Sequence, residues 1–176
     1  ISRRRWSAGS TGLAGVFGLG LAVHGAQKLF GWYGGYGLEG TGGFFAGLGF
    51  RPGKTFALAA GLAEFGGGLL VALGLFGPVG PALMVSVMTV AMLTVHRGKG
   101  FLSSNNGSEM PLLYVAGAIA LALVGFGAWS LDAALGLSHL WTPATAWTFL
   151  VLGALGGAAN LALRRPDPVV AQPAKA

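Results

Sequence analysis

The sequence predicts an all-α integral membrane protein, and three observations carry that prediction. Only 9% of the 176 residues are charged and 53% are apolar. A soluble domain carries about 25% charged residues, so too few polar side chains remain here to coat a water-soluble core. The 33 glycines are interleaved with Leu, Ala, Val and Phe rather than Ser and Gln, which excludes a disordered polymer of low hydrophobicity. The mean hydropathy of the whole sequence is +0.68, and its apolar residues gather into five long runs. Each run approaches the roughly 20 helical residues needed to cross about 30 Å of hydrocarbon.

The runs cover residues 8–30, 54–76, 79–96, 110–128 and 143–163. The first follows Ser2-Arg3-Arg4-Arg5-Trp6. It is too long for a signal peptide and no small-residue cleavage site closes it, so it reads as a retained span. Gly77-Pro78-Val79-Gly80-Pro81 makes the second-to-third connection a tight turn. Pro111 and Pro143 suit the first turns of the fourth and fifth helices, where a missing N–H costs little. Lipid supplies little drive for helix association, so small residues mark packed faces. Ala14, Gly18, Ala22 and Ala26 form such a row in the first span, and Ala60, Gly68 and Ala72 in the second, with Glu64 in the vacant place. Gly153 and Gly157 give the fifth a GxxxG. These rows predict a tight bundle, with the fifth helix packed outside the first four.

Between the first two spans, residues 31–53 hold Trp32, Tyr33, Tyr36, Phe44, Phe45 and Phe50 among glycines. Trp and Tyr prefer the headgroup layer, so the stretch is expected along the interface, with a short helix over 41–48. It is either an anchoring loop or a lid over a pocket. After Arg164-Arg165, residues 166–176 are rich in Pro and Ala and read as a disordered or extended arm.

Cys is absent, which excludes disulfides, thiolate metal sites, iron–sulfur ligation and thiol chemistry within this sequence. The formal charge is +6, but the basic residues sit at segment ends. That pattern points to membrane topology and lipid headgroups rather than nucleic acid.

Counting spans puts the 31–53 loop, the 97–109 loop and the C-terminal arm on one side, the loop side. His24, Gln27 and Lys28 share a face at the loop-side end of the first helix. Glu64 lies about 15 Å along the second, His96 closes the third and Glu109 opens the fourth. A carboxylate at Glu64's depth costs a few kcal/mol on insertion scales and needs a partner or water. Lys28 and His24 are the available cations. Glu64 is then either half of a structural ion pair or a proton-handling group beside a bound molecule. Bis-His haem is disfavoured, because His96 lies at the very end of its span and His24 a turn or two inside. No metal site is expected, since no two His or carboxylates have ligand spacing on a helix. A quinone headgroup, hydrogen-bonded by His and Glu between aromatic walls, fits better. Asp132 and His139, on the opposite side near Trp129 and Trp141, read as structural.

These residues, taken in order, resemble the DoxX family of integral membrane proteins. The resemblance rests on His24-Gly25-x-x-Lys28, Leu48-Gly49-Phe50-Arg51-Pro52, the stretch Ala60-Gly61-Leu62-Ala63-Glu64-Phe65-Gly66-Gly67-Gly68, His96, Gly107-Ser108-Glu109-Met110-Pro111 and Gly125-Phe126-Gly127-Ala128-Trp129. It covers about residues 13–135. It implies a four-helix membrane bundle over 1–135, to which this sequence adds a transmembrane helix over 136–165 and the arm. It further implies a role near quinone-linked thiosulfate oxidation or membrane assemblies that answer oxidative stress, in a bacterial inner membrane crossed several times.

Two functional expectations follow. In the first, the protein is a redox-linked subunit holding a quinone-type headgroup within the first four helices. Glu64 handles the proton, His24, Lys28, His96 and Glu109 contact the ligand, and Trp32, Tyr33 and Phe45 wall the pocket. With no covalent cofactor expected, electrons come from a membrane or peripheral partner protein. In the second, it is an accessory subunit of a larger membrane complex, docked through the fifth helix and binding only lipid. Lys28, Arg51, Lys54, Arg97, Lys99, Arg164, Arg165 and Lys175 collect on the loop side, against Arg3, Arg4 and Arg5 opposite. The count puts the loop side in the cytoplasm, although the first helix's own flank argues the reverse.

Overall fold

A computed structural model describes residues 3–165, with side chains from Gly9 onward; the arm over 166–176 lies outside the described residues. Seven α-helices and no strand occur among them: α1 Arg3–Phe30, α2 Gly37–Gly47, α3 Gly53–Leu73, α4 Val79–Thr94, α5 Glu109–Val124, α6 Leu131–Ala134 and α7 Pro143–Ala162. Their boundaries follow local chemistry. Gly74 adopts a left-handed conformation (φ 60°) and closes α3. Its N–H bonds to Val71 O at 3.0 Å and that of Leu75 to Leu70 O at 2.9 Å, which satisfies carbonyls left open at the helix end. Thr142 caps α7 by accepting from Thr145 N–H, with Pro143 in the first turn.

Glycine sets the helix spacing. A Cβ on Gly68 would lie 2.5 Å from Ala22 N and from Gly18 O, so α1 and α3 touch backbone to backbone. The adjacent Gly67 faces α4 instead, where a Cβ would meet Leu83 at 3.0 Å. One pair of glycines thus lets α3 sit between two helices. Gly157 packs against Ser86 O and Gly153 against Ala82 O, so the α7 GxxxG is spent on α4. Leu21, Val71, Met84, Ala118, Leu121 and Leu150 close the core between the helices.

Three expectations need correction. Ala60 does not continue the α3 row; Gly61 packs against Lys28 and Leu29 of α1 in its place, and Ala60 faces a cavity. A strict four-residue spacing drifts by about 40° per step around a helix of 3.6 residues per turn. The third and fourth runs are also shorter than expected. α4 stops at Thr94, before the positive-φ Gly98 and Gly100, and α5 stops at Val124, because Gly125 and Gly127 have positive φ. Each has 16 residues, about 24 Å of rise. By length and composition, Gly9–Phe30, Gly53–Leu73 and Pro143–Ala162 are able to cross a membrane. Finally, the interfacial helix is α2 at Gly37–Gly47 rather than 41–48.

At the end opposite the loop side, Asp132 is buried and accepts from Phe76 N–H at 2.9 Å and Gly77 N–H at 2.7 Å. Both donors have positive φ, so the carboxylate pins the α3–α4 turn to the 125–142 connection. His139 Nδ1 bonds Gly136 O at 2.8 Å in the same connection.

Candidate functional site

The loop-side ends of the helices enclose a cavity of about 480 Å³. His24 and Lys28 of α1 line it, one turn apart on a single face. From α3 come Phe56, Ala60, Ala63 and Glu64, and from α4 Ser86, Val87 and Thr94. His96, Met110, Pro111 and Tyr114 follow, with Phe44, Phe45, Leu48 and Phe50 from α2 and its exit and Asn160 from α7.

The polar centre is an ion pair. Lys28 Nζ lies 2.5 Å from Glu64 Oε2, with the Glu64 side chain 8% and the Lys28 side chain 25% exposed. Gly61 lies beside the pair, where a Cβ would fall 2.6 Å from the Leu29 side chain and 3.5 Å from Lys28 Cβ. Desolvating two charges largely cancels their attraction, so such a pair adds little stability, whereas leaving one member alone is costly. The pair also adds no net charge to a largely apolar cavity.

The histidines are oriented by their neighbours. His96 Nδ1 lies 2.7 Å from Asn106 O. A carbonyl only accepts, so this nitrogen carries the proton and Nε2 of the neutral ring is an acceptor. His24 Nδ1 meets Gln27 Oε1 at 3.2 Å, and Gln27 Nε2 donates to Tyr33 O at 3.2 Å. The His24 ring stands edge-on to Tyr114 at 6.3 Å. Along the opposite wall Phe50 packs between Phe45 (5.6 Å) and Phe56 (5.1 Å).

His24, Lys28, Phe45, Glu64 and His96 therefore share one cavity. Trp32, Tyr33 and Glu109 do not line it. Gly31 and Tyr33 take positive φ and turn the chain outward after α1. Trp32 packs on Phe30 at 4.8 Å, and Tyr33 is 71% exposed. Glu109, outside the apolar run of α5, accepts from Ser103 N–H at 2.8 Å. Hydrogen bonds from the Ser103 backbone and side chain hold its carboxyl below the usual carboxylate range. The pocket also exceeds the first four helices, since Asn160 of α7 belongs to it. Sequence reasoning missed Phe50, Phe56, Tyr114 and Asn160. Phe56, Ala60 and Ala63 follow helical spacing onto one face, and Asn160 is an amide in an apolar run, so both carried a signal. Among the described residues no three His, Cys, Asp or Glu side chains gather to hold a metal ion.

Residues 15–97 match the family model described as DoxX. The chain carries a DoxX domain. The match runs from α1 to the residue after His96 and contains the Lys28–Glu64 pair and both cavity histidines. It is shorter than the resemblance suggested, because the α5 motifs lie beyond it, as does α7. No curated protein and no solved structure shows a significant match. The DoxX stretch thus supplies the ionic half of the cavity, while α5 and α7 contribute Tyr114 and Asn160 from outside it.

Proposed function

We propose that this protein is a multi-pass subunit of a bacterial inner membrane that binds a neutral, quinone-type headgroup in the loop-side cavity and works with a partner redox protein. The observation that carries the reading is a charge-compensated Lys28–Glu64 pair buried in an aromatic-walled cavity of about 480 Å³. Small-molecule sites are typically apolar hollows of about 300–1,000 Å³ with a few fixed polar groups. A quinone carbonyl needs donors, which the Lys28 ammonium and the Tyr114 hydroxyl supply. A quinol hydroxyl needs acceptors, which Glu64 and the Nε2 atoms of His24 and His96 supply. Reduction takes up two electrons and two protons: the partner delivers the electrons, and Glu64 passes protons at the carbonyl oxygen. Lys28 holds the Glu64 carboxylate in place by a direct hydrogen bond. The balance of basic residues favours a cytoplasmic loop side.

In the accessory-subunit reading docking does not use Gly153 and Gly157, which α4 occupies, but the exposed Trp147, Val151, Leu152 and Leu155 of the same helix. Organic extraction of protein purified in mild detergent separates the two readings. Quinone should be recovered near stoichiometry, and His96→Ala with Glu64→Gln should release it, whereas Glu39→Leu should not. Recovery of lipid alone, with loss of a larger complex on deleting α7, would favour the docking role.

A further inference from the structure

The chain leaving α2 has a hydrogen-bonding problem that α7 solves. Leu48, Gly49 and Phe50 place their N–H groups on Phe44 O, Ala46 O and Phe45 O. The carbonyls of Leu48 and Gly49 point past the end of α2, where an unpaired backbone acceptor is costly away from water. Arg164 Nε donates to Leu48 O at 2.8 Å, and Arg165 N–H donates to Gly49 O at 2.7 Å. The Arg164 guanidinium also sits 5.7 Å from the centroid of the Phe50 ring, a cation–π geometry. Phe50 is 1% exposed and stacks on Phe45 and Phe56, and all three line the cavity. One turn earlier on α7, Asn160 lines the same cavity. Gly153 and Gly157 fix the register of α7 on α4, so the grip of Arg164 is set by packing.

We infer that Arg164 is a positioning residue of the pocket: from just past the end of α7, outside the DoxX match, it holds Leu48 and Phe50 in the wall and so shapes the ligand site. This rests on the reading of the cavity as a ligand site, but its first test needs no ligand. The sequence has no Cys, so Ala63→Cys places one thiol on the cavity wall and Val71→Cys places one in the core. Losing a hydrogen bond from a charged donor raises a local opening equilibrium by about tenfold or more. Arg164→Ala should therefore speed modification of Ala63→Cys by a water-soluble maleimide about tenfold, leave Val71→Cys, whose local openings keep the Arg164 contact, unchanged, lower the thermal midpoint by only a few degrees (about 2–4 °C per kcal/mol lost), and weaken decylubiquinone binding. Arg164→Lys keeps the charge over Phe50 but not the Nε donor, so it should fall between wild type and Arg164→Ala; it decides the matter by the same readouts should Arg164→Ala not fold. Unchanged labelling of Ala63→Cys, or equal acceleration at both thiols, overturns the positioning role even where decylubiquinone binds. If the Ala63→Cys rate rises selectively but wild type binds no decylubiquinone, the positioning role stands and the quinone reading falls.

Discussion

Removing one charge of the Lys28–Glu64 pair strands the other, and that asymmetry governs the residue-scale predictions. Glu64→Leu should lower unfolding free energy by about 2–4 kcal/mol, less than for a fully buried partner because Lys28 keeps some solvent. Adding Lys28→Met should recover most of it, as a double-mutant cycle in detergent would measure. Glu39→Leu should cost at most about 1 kcal/mol, since its pair with Lys54 is exposed on both sides. Asp132→Ala leaves the N–H groups of Phe76 and Gly77 without their acceptor and should destabilise by about 2–4 kcal/mol with ligand affinity unchanged. At Glu109 the folded pKa is depressed. Its contact with Ser103 is thus fully formed above the ordinary carboxylate range and lost as pH falls through the lowered value. The Ser103 amide resonance should titrate at that acidic midpoint, and Glu109→Gln should abolish the titration. The cost of burying charge made Glu64 and its partner legible in the sequence. Trp32 and Tyr33 misled because their aromatic character says nothing of the backbone turn at Gly31.

At the scale of elements, glycine position decides more than glycine number. Gly68→Ala forces a Cβ to within 2.5 Å of the α1 backbone and should cost about 1–3 kcal/mol through overpacking. Gly66→Ala meets nothing within 4 Å and should be neutral or stabilising by up to about 1 kcal/mol, from its better helix propensity. Thermal unfolding of the two variants side by side checks this. Both glycines sit in one run, and periodicity separates them only when the neighbouring helix is known. The ends of α4 and α5 were misjudged for a related reason. Apolar residues continue past Val124 with Phe126, Ala128 and Trp129 and past Thr94 with Val95 alone, whereas the backbone turns at glycines whose φ no composition reveals.

For the whole molecule, α4 and α5 rise only about 24 Å each, so the bundle is shorter along them than along α1, α3 and α7. A short apolar length thins the surrounding bilayer at a modest cost per ångström. Reconstituted protein should therefore have a higher thermal midpoint in lipids with chains of about 14 carbons than in those of about 22. An unchanged midpoint would mean that loops 97–109 and 125–142 make up the missing length. The same loop side gathers the α2 exit and the end of α7, so the pocket is closed by segments more than a hundred residues apart in the chain.

Composition and periodicity determined that the protein is an all-α membrane bundle, that small residues bring its helices together, and that Glu64 needs a partner, with Lys28 and His24 the available cations. Those properties follow from the free energy of placing each residue type in lipid, which depends on the residue and its helix face alone. Tertiary structure decided which polar groups share a cavity, that Trp32, Tyr33 and Glu109 stand outside it, and that Asn160 of α7 belongs to it while Arg164, just past α7, grips its wall. Those outcomes depend on which helix each face meets and on where the backbone turns at Gly31, Gly49 and Gly125. The Leu48 and Gly49 carbonyls find their donors in Arg164 and Arg165 just past α7, across a distance in sequence that no local pattern spans.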